Sequence, residues 1–156
     1  MNIQLSNADQ VGIVVRDLDA FLQSLEDLLG IRGFEVIEYP DDSREAQITY
    51  RANPAAYRPK LAFMKVGNLE VELSQPLEGE SAFQEFLDER GPGLHHIRFT
   101  EREFDQISAA LMDRGIQRMA TGNGVHGPTK WAYFDTAELL QGLLIEIKKP
   151  SDNQRA

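Results

Sequence analysis

Hydrophobic residues recur along this chain in two rhythms, and the order of the rhythms repeats. From Asp17 to Leu29 the apolar positions are Leu18, Phe21, Leu22, Leu25, Leu28 and Leu29, a spacing that predicts one helix with an apolar face. Asp17 is its natural N-cap and Gly30 its stop. Just before it, Val11-Gly-Ile-Val-Val15 is short, apolar and β-branched, which predicts a buried strand. Further on, His96-Ile-Arg-Phe99 predicts a strand, and Phe104, Ile107, Leu111 and Met112 follow at helical spacing before Gly115. Gln10 falls on His96 and Leu18 on Phe104, each 86 positions on, so strand-then-helix occurs twice in the same register.

The strands that follow each helix match as well. Leu61-Ala-Phe-Met-Lys-Val66, the turn Gly67-Asn68 and Leu69-Glu-Val-Glu-Leu73 predict a hairpin, and Lys130-Trp-Ala-Tyr-Phe-Asp135 with Leu143-Leu-Ile-Glu-Ile-Lys148 play the same parts later. Pro76 and Pro150 are expected to end the closing strands. Glu72 falls on Glu146 at an offset of 74, so the first half carries about a dozen extra residues. These fit Asp41 to Pro59 as a surface loop. Between the halves, Ser81-Ala-Phe-Gln84 is a capping box that opens a short connector helix with Phe83, Phe86 and Leu87 inward, closed by Gly91-Pro-Gly93. The expectation is one α+β domain of two βαβββ modules, about 8–77 and 94–149, joined by a helix at 81–90 and enclosing a cleft.

Composition narrows the chemistry. A chain of 156 residues with 42% hydrophobic and 26% charged residues suits a soluble globular domain. A net charge of -9 argues against nucleic-acid or anionic membrane partners and leaves a small-molecule substrate. No apolar run approaches the roughly 20 residues that span a bilayer, and Met1 to Gln10 lacks the pattern of a signal peptide, so the chain is expected in the cytoplasm. Without cysteine, catalytic chemistry falls to oxygen and imidazole groups.

Gln10 and His96 are repeat-equivalent on the opening strands, and Glu72 and Glu146 on the closing strands, where each glutamate has apolar neighbours on both sides. Taken singly, each has an ordinary reading: a solvated strand glutamate, an edge glutamine, a hydrogen-bonded core histidine. Their joint placement favours a shared cleft, where an imidazole, two carboxylates and an amide oxygen suit a divalent cation such as zinc, cobalt, nickel or manganese. Strand alternation then turns His96 to the cleft and His95 to the opposite side of the sheet. The glycine-bearing segment Gly122 to Pro128 is a candidate lid, and His126 within it a candidate substrate contact, as are Lys60, Lys130 and Trp131.

The stretches Val11 to Leu18, Val66-Gly-Asn-Leu-Glu-Val-Glu-Leu-Ser-Gln-Pro-Leu77, Gly93-Leu-His-His-Ile97 and Gly142-Leu-Leu-Ile-Glu-Ile147 resemble the vicinal oxygen chelate superfamily, and within it the methylmalonyl-CoA epimerase-like proteins. The resemblance implies a metal at Gln10, Glu72, His96 and Glu146, with glutamine where the epimerases carry a histidine. A catalytic glutamate of some epimerases falls near Leu61, which cannot abstract a proton. The implied activity is a metal-dependent isomerase or epimerase that removes a proton next to a carbonyl, as in methylmalonyl-CoA, with Glu146 or Glu72 as the base. The alternatives in the same superfamily are a glyoxalase I-type lactoylglutathione lyase, whose ligand set is similar, and a non-catalytic drug-binding protein. Members often dimerise, so a homodimer is expected.

Overall fold

The structure, a computed structural model, describes residues 2–40 and 47–151. Chain order is β1 (Ala8–Val14), α1 (Leu18–Leu29), β2 (Glu35–Glu38), β3 (Thr49–Tyr50), β4 (Asn53–Pro54), β5 (Arg58–Val66), β6 (Leu69–Glu78), α2 (Ala82–Arg90), β7 (Gly93–Thr100), α3 (Phe104–Met112), β8 (Arg118–Asn123), β9 (Lys130–Phe134) and β10 (Leu144–Lys149). The helix signals act where the pattern puts them. Asp17 accepts a hydrogen bond from the Ala20 amide at 3.0 Å, and Gly30 ends α1 in the left-handed region at φ 67°. Ser81 accepts from the Gln84 amide at 3.1 Å, but the Gln84 side chain turns to Asp88 instead of completing the capping box.

The described strands form one curled sheet in the order β2-β5-β6-β1-β7-β10-β9-β8-β3-β4. Removing β3 and β4 leaves a symmetric arrangement: β1 runs parallel to β6, β7 parallel to β10, and β1 meets β7 antiparallel at the centre. Val11 faces Ile97 across that pair, so a pseudo-twofold axis passes there and relates Gln10 to His96, as the 86-residue repeat requires. Outside the sheet, α1 covers a core around Leu18, Ala62 and Leu73, while α3 covers its counterpart around Phe104, Phe134 and Ile147. The third core, with Tyr57, Phe63, Phe83 and Tyr133, lies on the concave side and joins the modules.

Several expectations are corrected. The stretch from Asp41 to Pro59 is not a simple surface loop. Its first six residues lie outside the described residues, but Ile48 and Tyr57 are buried and β3 crosses to pair with β8 of the other module. The reason is edge pairing: β8 would otherwise end the sheet with open backbone groups. Pro76 does not end β6, which continues to Glu78. β1 stops opposite Ser74, so beyond that point β6 has no neighbour on that side and a missing amide proton is tolerated. Leu28 and Leu29, expected on the apolar face of α1, are exposed, and the helix packs through Leu18, Phe21, Leu22 and Leu25.

Candidate active site

His95 also departs from expectation, for a reason that organises the whole site. Gly12 pairs with His96 but Ile13 pairs with Leu94, so His95 is an extra residue in a β-bulge and strand alternation fails there. His95 and His96 therefore stand on the same side, both fully buried, with their Nδ1 atoms 2.9 Å apart. His95 packs against Phe83, Phe86 and Tyr133 and not on the opposite side of the sheet. Burial, with His96 beside it, holds the His95 imidazole well below its ordinary range and hence neutral. A second bulge sits at Asp9, since Ala8 pairs with Phe99 and Gln10 with Arg98. Asp9 is the pseudo-twofold mate of His95, so each module uses one bulge to bring two consecutive polar residues to the concave side.

Between the modules lies a cavity of about 410 Å³ whose lining includes Asp9, Glu70, Glu72, Arg98, Glu146 and Lys148. Gln10 and His96 are fully buried just beneath this floor. His96 Nε2 lies 3.3 Å from Gln10 Oε1 and 3.2 Å from Glu146 Oε2. Gln10 is oriented by donating through Nε2 to Glu70 Oε1 at 2.6 Å, which leaves its oxygen toward the imidazole. Glu72 accepts from Ser74 Oγ at 2.8 Å. Room for the His96 ring comes from Gly12, where a Cβ would sit 1.9 Å from His96 Cε1.

Charge at the floor is partly balanced. Arg98 binds Asp9 at 2.9 Å and Glu70 at 3.2 Å, and Thr100 donates to the other Asp9 oxygen at 2.6 Å. Burial pushes Glu72 above the usual carboxylate range, Glu146 adds to the shift, and His96 opposes it. Burial, with Arg98 nearby, pushes Lys148 below the usual lysine range. Four carboxylates, Asp9, Glu70, Glu72 and Glu146, thus face two cationic side chains, Arg98 and Lys148. When all are ionised, the deficit is two positive charges.

Imidazole, amide and carboxylate donors are of the kinds that a divalent cation takes. Among the described residues no three His, Asp or Glu side chains make a metal cluster by themselves, so the amide oxygen of Gln10 is needed. The distances from His96 Nε2 to Gln10 Oε1 and to Glu146 Oε2, 3.3 and 3.2 Å, match the roughly 3.0–3.4 Å edges of a coordination shell with bonds of about 2.1 Å. Glu146 Oε2 is buried and makes no hydrogen bond within the described residues.

The other candidates divide. Trp131 lines the cavity and donates through Nε1 to the Asn123 carbonyl at 2.8 Å, and His126 lines its mouth with Nε2 3.1 Å from Glu35 Oε2. Lys60 does not reach the cavity. Pro59, Leu61 and Phe63 face inward, so Lys60 faces the other way and binds Asp19 at 2.6 Å. Lys130 has the same parity relative to Trp131 and is exposed. The sequence reading missed Asp9, Gly12, Glu70, Arg98 and Tyr57. Two of these had signals: the 86-residue offset carries Asp9 onto His95, and Arg98 lies two residues beyond His96 on its face.

The chain is 25% identical over 152 residues to the uncharacterized protein YqjC of Bacillus subtilis (strain 168), covering 96% of each. It is 26% identical over 152 residues to the mitochondrial methylmalonyl-CoA epimerase of Mus musculus, covering 94% of this chain and 74% of that protein. Its fold matches that of a Streptomyces coelicolor methylmalonyl-CoA epimerase variant in complex with 2-nitronate-propionyl-CoA, with a TM-score of 0.67 and 21% identity over 98% of this chain and 100% of that one. The family model of the glyoxalase/bleomycin resistance protein/dioxygenase superfamily matches residues 9–133. With that match over most of its length, the paired modules and the cleft between them, the chain belongs to this superfamily.

Proposed function

We propose that the cleft carries out metal-dependent removal of a proton next to the carbonyl of an acyl compound, as an isomerase or epimerase acting on an acyl-CoA such as methylmalonyl-CoA. The observation that carries this reading is that His96 Nε2 stands 3.3 Å from Gln10 Oε1 and 3.2 Å from Glu146 Oε2, beside a cavity lined by more carboxylates than cationic side chains. Gln10, Glu72, His96 and Glu146 would hold the cation, with Ser74 and Glu70 orienting Glu72 and Gln10. When bound, such a cation supplies Lewis-acid polarisation of a carbonyl oxygen. The relatives named as methylmalonyl-CoA epimerases support the acyl-CoA class.

The chain's own residues account for the remaining work. A carboxylate has two oxygens, so Glu146 can hold a cation with one and take the proton with the other. Glu72 stands across the pseudo-twofold axis, where a proton can return from the other module's side. Apolar rings from Phe63, Phe83 and Trp131 line the cavity and limit water around the reacting carbon.

The test is exchange of the α-proton of methylmalonyl-CoA in deuterated buffer, read by mass spectrometry, with zinc, cobalt, nickel or manganese supplied. The wild type is expected to exchange it, and Glu146→Gln to do so at least about 100-fold more slowly. Equal rates would remove Glu146 from the chemistry. No exchange by the wild type, together with turnover of the methylglyoxal-glutathione hemithioacetal, would replace this reading with a glyoxalase I-type activity.

A further inference from the structure

Two phenols in the cleft have no task in the arrangement above. Tyr57 and Tyr133 are 3% and 4% exposed, both line the cavity, and neither hydroxyl makes a hydrogen bond within the described residues. They come from different modules: Tyr57 from the crossing segment just before β5, and Tyr133 from β9. Their rings meet the same side chain, Phe83, at centroid distances of 6.5 and 5.9 Å. Tyr133 is also the direct cross-strand partner of Glu146, and its ring centroid lies 4.8 Å from that of His96.

Internal symmetry shows that packing does not require the Tyr133 hydroxyl. Phe63 faces Glu72 as Tyr133 faces Glu146, so the two are repeat-equivalent. The first module fills that position with a plain phenyl ring. The second adds one oxygen to a ring on the cavity wall. A phenol keeps its proton at neutral pH, so both side chains can act as hydrogen-bond donors into the cavity they line. Two neutral donors beside two carboxylates are the complement of a substrate that loses a proton at carbon and gains negative charge at oxygen.

We propose that Tyr57 and Tyr133 form the oxyanion site of this cleft, donating hydrogen bonds to the carbonyl oxygen of an acyl thioester. The proposal rests on the acyl-CoA reading given above and specifies how the substrate is held. In the step concerned the α C–H bond breaks and its proton passes to the Glu146 carboxylate. The electron pair forms the carbon–carbon double bond, and the carbonyl π pair moves onto oxygen, where the two hydroxyls donate hydrogen bonds that add to the polarisation a bound cation would supply. Reprotonation at carbon reverses each movement. A thioester carbonyl held between donors from both modules also fixes which face of the α-carbon meets each carboxylate.

The test compares two probes by calorimetry on the full chain: propionyl-CoA, which mimics the ground state, and 2-nitronate-propionyl-CoA, whose planar anionic group mimics the enolate. The wild type is expected to prefer the nitronate. Tyr57→Phe and Tyr133→Phe should each lose at least about tenfold in nitronate affinity while propionyl-CoA affinity changes by less than about threefold. Thermal unfolding shows that the variants fold, as the phenyl ring at Phe63 leads one to expect. Unchanged nitronate affinity in both variants would overturn the proposal, as would an equal loss for both probes, which marks a packing role. A wild type that binds neither probe would overturn it together with the acyl-CoA reading, whereas a failure confined to the variants leaves that reading standing.

Discussion

At the scale of single residues, the site depends on polar groups that would be costly to bury alone. Glu72 gives this a measurable form. Its carboxyl is held above its ordinary value of 4.5, so metal-free folded protein keeps a proton that the unfolded chain releases. Stability from this group is therefore present at pH values below 4.5 and declines as pH rises through the elevated folded value. Glu72→Gln removes that decline. Thermal unfolding in the presence of a chelator should show the variant gaining on the wild type as pH rises above 4.5, and parallel curves would contradict the assignment. The placement of Gln10, Glu72, His96 and Glu146 about one cleft was legible in the sequence, because a repeat converts separate weak signals into one arrangement. Lys60 and Lys130 were misjudged for want of parity: each stands next to an inward residue, Leu61 or Trp131, and so faces away.

At the scale of elements, the decisive feature is the central strand pair. β1 and β7 carry one bulge each, at Asp9 and His95, and alternation counted from sequence cannot detect a residue that pairs with nothing. The helices were legible because caps and periodicity are local, and Asp17, Gly30 and Ser81 act where the pattern places them. The crossing of β3 to β8 was not legible, because it depends on an unpaired edge elsewhere in the molecule. Close approach of β1 and β7 leads to a sharp prediction. Gly12→Ala places a methyl group 1.9 Å from His96 Cε1, so the imidazole must leave its place. A loss of about 1–3 kcal/mol in unfolding free energy is expected, with a large fall in cation affinity. A variant with wild-type melting and wild-type cation binding would show that His96 does not depend on this contact.

At the scale of the whole molecule, two modules related by a pseudo-twofold axis close one cleft within one chain. The β2 and β8 ends of the symmetric eight-strand set are joined by Tyr39, just after β2, which donates to the carbonyl of Asn123 at the end of β8 at 2.6 Å, and by the Glu35–His126 pair. This rim lies across the cavity from the β1–β7 centre. The overall fold was legible from the repeat, since the same order of strand, helix and strands occurring twice implies two like modules that meet at a cleft. The asymmetries were not: a phenyl ring at 63 faces a phenol at 133, and Gly12 mirrors Arg98. Such differences between equivalent positions give a symmetric scaffold a directional site. Because the cleft is complete in one chain, cation binding should be stoichiometric per chain and insensitive to protein concentration.

The most direct measurement of the central claim is metal content by mass spectrometry on wild type and Glu146→Ala after incubation with zinc, cobalt, nickel or manganese and removal of excess. The account predicts one equivalent per chain in the wild type and less than about a tenth of that in the variant, since cation affinity rests on the full ligand set. Equal metal in both, or none in either, would contradict it.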